Sequence, residues 1–193
     1  MKTKYDNVTL LSLSGDDEQM AYQHGKLMRQ EIHQSALFSL AEKNQNLIKK
    51  AGGLLSYKFI QKIVIYLYEN ILIRLLTLSL PQSEKRNLYA LCKGAELDEK
   101  ILLRAFYQAD GLMFLSRISM MKYLFFNFPT SELPGCSSAV VSGNLTTCGN
   151  LLAMRNQDYP IVGPWEKNTI VVNCRPKDKI PYTFVSSAGL HTS

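Results

Sequence analysis

The sequence predicts an α+β chain. From about residue 14 to residue 126 apolar side chains recur at helical spacing, and after Pro134 the pattern changes to short β-rich runs separated by turn residues. A third observation is composition: 193 residues with 46% hydrophobic and 20% charged side chains form a folded chain with a sizeable core. The change of period divides the sequence into a mainly helical segment over 1–135 and an antiparallel β-meander over 136–193.

Between Asp16 and about Lys50, Met20, His24, Leu27, Met28, Ile32, Phe38 and Leu40 keep helical spacing after an Asp16-Asp17 start and before Gly52-Gly53. One long helix or a broken pair is expected there. A second helix is expected from about Leu54 to Leu80. Its wide apolar face, with Phe59, Ile60, Ile63, Val64, Leu67, Ile71 and Leu75, predicts burial on several sides. Ser83 is read as the cap of a short helix carrying Leu88, Leu91 and Cys92, and Asp98 opens another. The β-rich runs are Ser137–Ser142, Asn150–Asn156, Thr169–Arg175 and Tyr182–Ser187. Gly143-Asn144 and Cys148-Gly149-Asn150 make the first two a hairpin with a connection of about seven residues centred near Thr146.

Several function classes are excluded by the same numbers. Net charge is +6, but it is spread, with 17 basic against 13 acidic residues over 1–135 and 5 against 3 over 136–193. No stripe for nucleic acid results. Cys92, Cys136, Cys148 and Cys174 form no C-x-x-C pair and have no histidine nearby, so neither a zinc site nor a disulfide scaffold is expected, and the thiols are read as reduced. Lys58, Lys62, Glu69 and Arg74 interrupt the apolar stretch from Leu54 to Leu80, which therefore does not span a membrane. Met1–Leu13 lacks the apolar run of a signal peptide and reads as a cytoplasmic start. His24, on the apolar side of its helix, is expected to be a packed, hydrogen-bonded histidine. Tyr123–Phe128 is an aromatic cluster that suits a core or the wall of an acyl pocket.

The hairpin carries a chemical consequence. If its loop is centred near Thr146, Cys136 at the start of one strand faces Arg155 to Asp158 at the end of the other. Arg155 beside a thiol favours the thiolate, and Asp158 can orient the arginine or accept a hydrogen bond from an amine. On spacing alone two readings stand: a cysteine nucleophile, and a small buried thiol beside a structural salt bridge. Gly135, lacking Cβ, permits a turned backbone and gives the Cys136 thiol access to the preceding carbonyl.

The segment Pro134-Gly135-Cys136-Ser137-Ser138-Ala139-Val140, followed by Gly149-Asn150-Leu151-Leu152-Ala153-Met154-Arg155-Asn156-Gln157-Asp158, resembles a known pattern. It is similar to the cleavage site and first hairpin of the penicillin acyltransferase-like (isopenicillin N acyltransferase) family. These are N-terminal-nucleophile cysteine hydrolases related to the choloylglycine hydrolases. Tyr22-Gln23-His24-Gly25 through Arg29-Gln30-Glu31-Ile32 is similar to the family's N-terminal part. The most specific piece is Gly-Cys followed, 19 and 22 residues after the cysteine, by Arg155 and Asp158.

The resemblance implies a helical N-terminal segment followed by the first strands of an αββα sandwich. It also implies a chain that cuts itself between Gly135 and Cys136, with Cys136 as nucleophile and its freed amine as base. Arg155 and Asp158 would position the amine and a small-molecule acyl substrate, with no cofactor and no metal. The implied activity is amide hydrolysis or acyl transfer through a Cys136 thioester. The family's oxyanion-stabilising asparagine lies far downstream, whereas 57 residues follow Cys136 here, room for about four strands. The sandwich is therefore expected to be incomplete, with a homo-oligomer or a complementing chain covering it. Two rival expectations are a catalytically inactive truncated or degenerate relative acting as an interaction protein and a lipid amidase or phospholipase-like hydrolase of the same superfamily using the same thiol.

Overall fold

Thr9, Leu11 and Leu13 are buried while the residues between them are not, which makes Val8–Gly15 a strand with one face toward a core. The computed structural model describes residues 1–6, 8–38, 58–67, 70–71, 73–103, 105, 135–147, 149–158 and 168–189. It confirms a mixed α+β architecture. Strand β1 (Lys2–Tyr5) runs antiparallel to β2 (Val8–Gly15), reversing through Asp6 at φ 48°. The helices are α1 (Asp17–Leu27), α2 (Arg29–Phe38), α3 (Lys58–Leu67), α4 (Ile73–Ser79) and α5 (Gln82–Ala95). The later strands are β3 (Gly135–Gly143), β4 (Gly149–Asp158), β5 (Thr169–Pro176) and β6 (Tyr182–Ser187).

The strands form two sheets, one ordered β1-β2-β5-β6 and one the β3–β4 pair. Strand β5 is parallel to β2, with Thr9 opposite Ile170, Leu11 opposite Val172 and Leu13 opposite Cys174, and antiparallel to β6. Those pairs share a face, and that face is buried against Met20, Ala21 and Met28 of the helical layer and Leu91 and Cys92 of α5. A slip of one residue in either strand would turn the buried set to the other side, so the core fixes the register.

The expected partition into a helical segment over 1–135 and a meander over 136–193 therefore needs correcting. The four later strands are present, but they do not form one meander. The pairing of β5 with β2 carries the sheet across the boundary, and the N-terminal residues, for which no strand was expected, form two of its strands. Ile170 and Val172 are fully buried for the same reason, covered by the helices.

Helix α1 begins with a capping box: Gln19 N–H donates to Asp16 Oδ1 at 2.8 Å and Asp16 N–H donates to Gln19 Oε1 at 3.0 Å. The long N-terminal helix is a broken pair, interrupted at Met28, and residues 39–50 lie outside the described set. Helix α5 starts after Pro81 with no side-chain cap, so Ser83 is not its N-cap. Asp98 does open a helical turn, its Oδ1 accepting from Lys100 N–H at 2.7 Å. Among the described side chains of α3 and α4, Ile73 is buried but the expectation of burial on several sides fails. Phe59, Ile63, Tyr66, Leu75 and Leu78 all face solvent.

Helices α1 and α5 cross at two glycines. A Cβ on Gly25 would collide with the Leu91 carbonyl and lie 2.8 Å from Ala95 N, and one on Gly94 would collide with the Tyr22 carbonyl and lie 2.9 Å from Lys26 N. Each glycine thus admits the other helix's backbone. His24, beside Gly25, is fully buried and accepts a hydrogen bond at Nε2 from Gly189 N–H at 3.2 Å, as a packed histidine. His33 donates from Nε2 to the Ala95 carbonyl at 2.8 Å and so caps the end of α5.

Because the atoms in the way are backbone, neither helix can relieve an added methyl by a rotamer change. Gly25→Ala and Gly94→Ala are each expected to cost about 3 kcal/mol, the upper end for overpacking. The melting temperature should fall by roughly 5 °C or more in a chain of this size. The double variant should cost less than the two losses added, because either methyl alone already separates the helices. Thermal and urea unfolding followed by circular dichroism measure all three.

Candidate active site

The hairpin β3–β4 is built by its turn. Gly143 and Gly149 take φ of 62° and 70°, values that a residue without Cβ adopts freely. The Thr146 hydroxyl donates to the Gly143 carbonyl at 3.1 Å and to the Asn150 carbonyl at 2.9 Å, and Thr146 N–H donates to the Gly143 carbonyl at 3.1 Å. The glycines pair with each other, so the connection between strands is five residues rather than about seven, 144–148. The register shifts between Val141 and Gly143. Beyond that bulge it runs Val141 opposite Leu152, Ser138 opposite Arg155, Cys136 opposite Gln157 and Gly135 opposite Asp158.

The three positions singled out from sequence thus lie on the last four rungs at the open end of the hairpin. Strand alternation divides them. Cys136 and Arg155 belong to one parity of the ladder, and Asp158, opposite Gly135, belongs to the other. Gln157, which sequence reasoning passed over, stands directly across from Cys136. No sequence signal would have found it, because the bulge decides it: counting rungs outward from Gly143 and Gly149 without one gives Asn156 instead.

Two other thiols are unsuited to nucleophilic chemistry. Burial pushes Cys92 up to about 12, helped by the charges of Glu99 and Asp98. Burial also raises Cys174, against a lowering by the hydrogen bond from the Tyr182 hydroxyl across the β5–β6 pair. Tyr182 is itself pushed up to about 12 by burial and by the same contact. Cys148 and the Tyr123–Phe128 cluster lie outside the described residues. Among the described residues no group of three or more histidine, cysteine or acidic side chains is arranged to hold a metal ion, and no helix is long and apolar enough to cross a membrane.

No family model matches the chain, and no curated protein matches it.

Since the thiolate is the reactive form, Cys92 and Cys174 should stay unmodified by iodoacetamide at mildly alkaline pH in the native chain and react only in urea, as read by peptide mass. The Cys92 shift also sets a pH dependence. The folded pKa lies above the ordinary value of 9.0, so the native state holds its proton longer, and this contribution to stability is full below about pH 9 and lost as pH rises toward 12. The fall in urea midpoint between these limits should be shallower in Cys92→Ala than in the unchanged chain. An equal slope would show that this thiol does not titrate with unfolding.

Proposed function

We propose that the chain is a self-cleaving cysteine enzyme of the N-terminal-nucleophile kind, a penicillin acyltransferase-like amidohydrolase or acyltransferase acting in the cytoplasm on a small acyl substrate. The observation that carries this reading is the register at the open end of the hairpin, Gly135 opposite Asp158 and Cys136 opposite Gln157. In this reading the two sheets contribute strands to an αββα sandwich.

In maturation the Cys136 thiol adds to the Gly135 carbonyl carbon. The carbon–nitrogen bond between Gly135 and Cys136 breaks, the acyl group passes to sulfur, and the nitrogen takes the thiol proton. Water then hydrolyses that thioester, leaving a Gly135 carboxylate and a Cys136 with free thiol and free α-amine. An α-amine of pKa about 7.7–8.0 exchanges a proton readily with a thiol of about 8.5, so one residue supplies base and nucleophile. During turnover the amine accepts the thiol proton, sulfur attacks the substrate carbonyl, and the leaving amine departs with the proton. Water or an acceptor amine then releases the acyl group.

The register supports the assigned roles. Departure of Gly135 puts the new α-amine beside the rung that Asp158 occupies, where a carboxylate orients an ammonium. Arg155, on the parity of Cys136, favours the thiolate. Lipid amides or phospholipid esters are the variant substrates for the same thiol. A second reading, an interaction protein without turnover, is favoured by the hairpin's apolar exposure, with Val140 63% and Leu152 57% accessible on opposite parities.

Intact mass under denaturing conditions tests the proposal. The expected result is two pieces divided between Gly135 and Cys136, and an uncut Cys136→Ala variant. The same break in the alanine variant would mean an outside protease, and an uncut native chain would leave the interaction reading. Asp158→Asn should still fold but lose about 10²-fold in turnover, the scale of a misplaced acid–base group.

A further inference from the structure

Helix α3 presents an apolar stripe that neither the core nor the proposed chemistry uses. At about 100° per residue, Lys62, Tyr66, Phe59, Ile63 and Leu67 follow one another around an arc of about 140°. All five are exposed, Phe59 to 74% and Tyr66 to 64%. Apolar exposure on this scale along one helix face marks a surface that meets another phase or molecule.

The charge around the stripe identifies its partner. Helix α3 itself carries two lysines, Lys58 and Lys62, and no acidic residue. Exposed Arg74, Leu75 and Leu78 on α4 repeat the combination of cation and apolar side chain. A second copy of the same helix would bring lysine against lysine across a two-fold axis with no carboxylate on α3 to pair them. An anionic surface that also accepts hydrocarbon satisfies both components. Ten residues of helix rise only about 15 Å, half of a bilayer core, so the element can lie in the interface but cannot cross it.

We infer that α3 docks the protein on an anionic lipid surface, with Phe59, Ile63 and Leu67 entering the headgroup boundary, Tyr66 at its polar edge and Lys62 on the lipid phosphates. This rests on the exposed stripe and its charge, independently of the chemistry at Cys136.

Sedimentation of the full 193-residue chain with vesicles is the test, using phosphatidylcholine alone or with about one-third phosphatidylserine, at about 0.1 M and about 0.5 M salt. Binding is expected on the phosphatidylserine vesicles at low salt, weakened at high salt. Phe59→Ser with Ile63→Ser should reduce it by at least about tenfold. Lys62→Gln should reduce it about fivefold on phosphatidylserine and leave phosphatidylcholine unchanged. Far-UV circular dichroism checks that the variants fold, as expected for exposed positions. The inference is overturned if no vesicle binds, if binding ignores lipid charge, or if the double serine variant binds like the unchanged chain. It is equally overturned if a sizing column shows a dimer that the double serine variant dissolves, because the stripe would then be covered by a second copy.

Discussion

The close crossing of α1 and α5 is the contact on which the rest of the described core depends. With backbone against backbone at Gly25 and Gly94, the two helices form one layer thin enough for Met20, Met28, Leu91 and Cys92 to reach Leu11, Leu13, Ile170 and Val172 together. Larger residues at the crossing would separate the helices, and one of the two would lose its contact with the sheet. Interiors are close-packed, so such a gap is not filled by small adjustments elsewhere. The ion pairs Lys2–Glu31, Arg29–Glu96, Arg86–Glu18 and Lys179–Asp17, at 2.5–2.8 Å, lie at or near the surface, and Arg86–Glu18 joins α5 to α1. Solvated pairs of this type contribute about 0–1 kcal/mol each. They trim the structure without determining it.

Much of the fold was legible because the sequence states period and turn chemistry locally. Each later strand was found within about two residues, and the Asp16 start of α1 follows from a side chain that can cap only its own helix. Pairing partners were not legible. Nothing in Thr169–Arg175 says that its second neighbour, besides β6, is Val8–Gly15 rather than the preceding strand β4, because a parallel partner far away in the chain is selected by the whole core. Helix α3 misled for a related reason. A wide apolar face is the same sequence signal whether a core or some other surface receives it.

At the hairpin the sequence located the end that matters but not the order on it. The two glycines and Thr146 put Cys136 near Arg155 and Asp158 by counting alone. Which of those positions shares a parity with Cys136 depends on one extra residue, the irregularity between Val141 and Gly143. A bulge shifts one strand against the other by a single step, and a single step exchanges faces. No residue type at Ser142 announces it. The distinction between a residue beside the thiol and one beside the backbone at Gly135 therefore emerges only from the ladder.

The parallel ladder between β2 and β5 bears directly on any break before Cys136. Residues 9–15 belong to one side of that point and 170–176 to the other, and their pairing buries Leu11, Leu13, Ile170 and Val172 in one core. Asn168 Nδ2 donates to Ser35 Oγ at 3.3 Å, and Gly189 N–H donates to the buried His24, so polar contacts also tie the two sides. A cut between Gly135 and Cys136 would remove one covalent link and none of these interactions. The pieces would stay associated while the hairpin alone gained a free end. Strands β5 and β6 would remain anchored in the sheet that binds both halves.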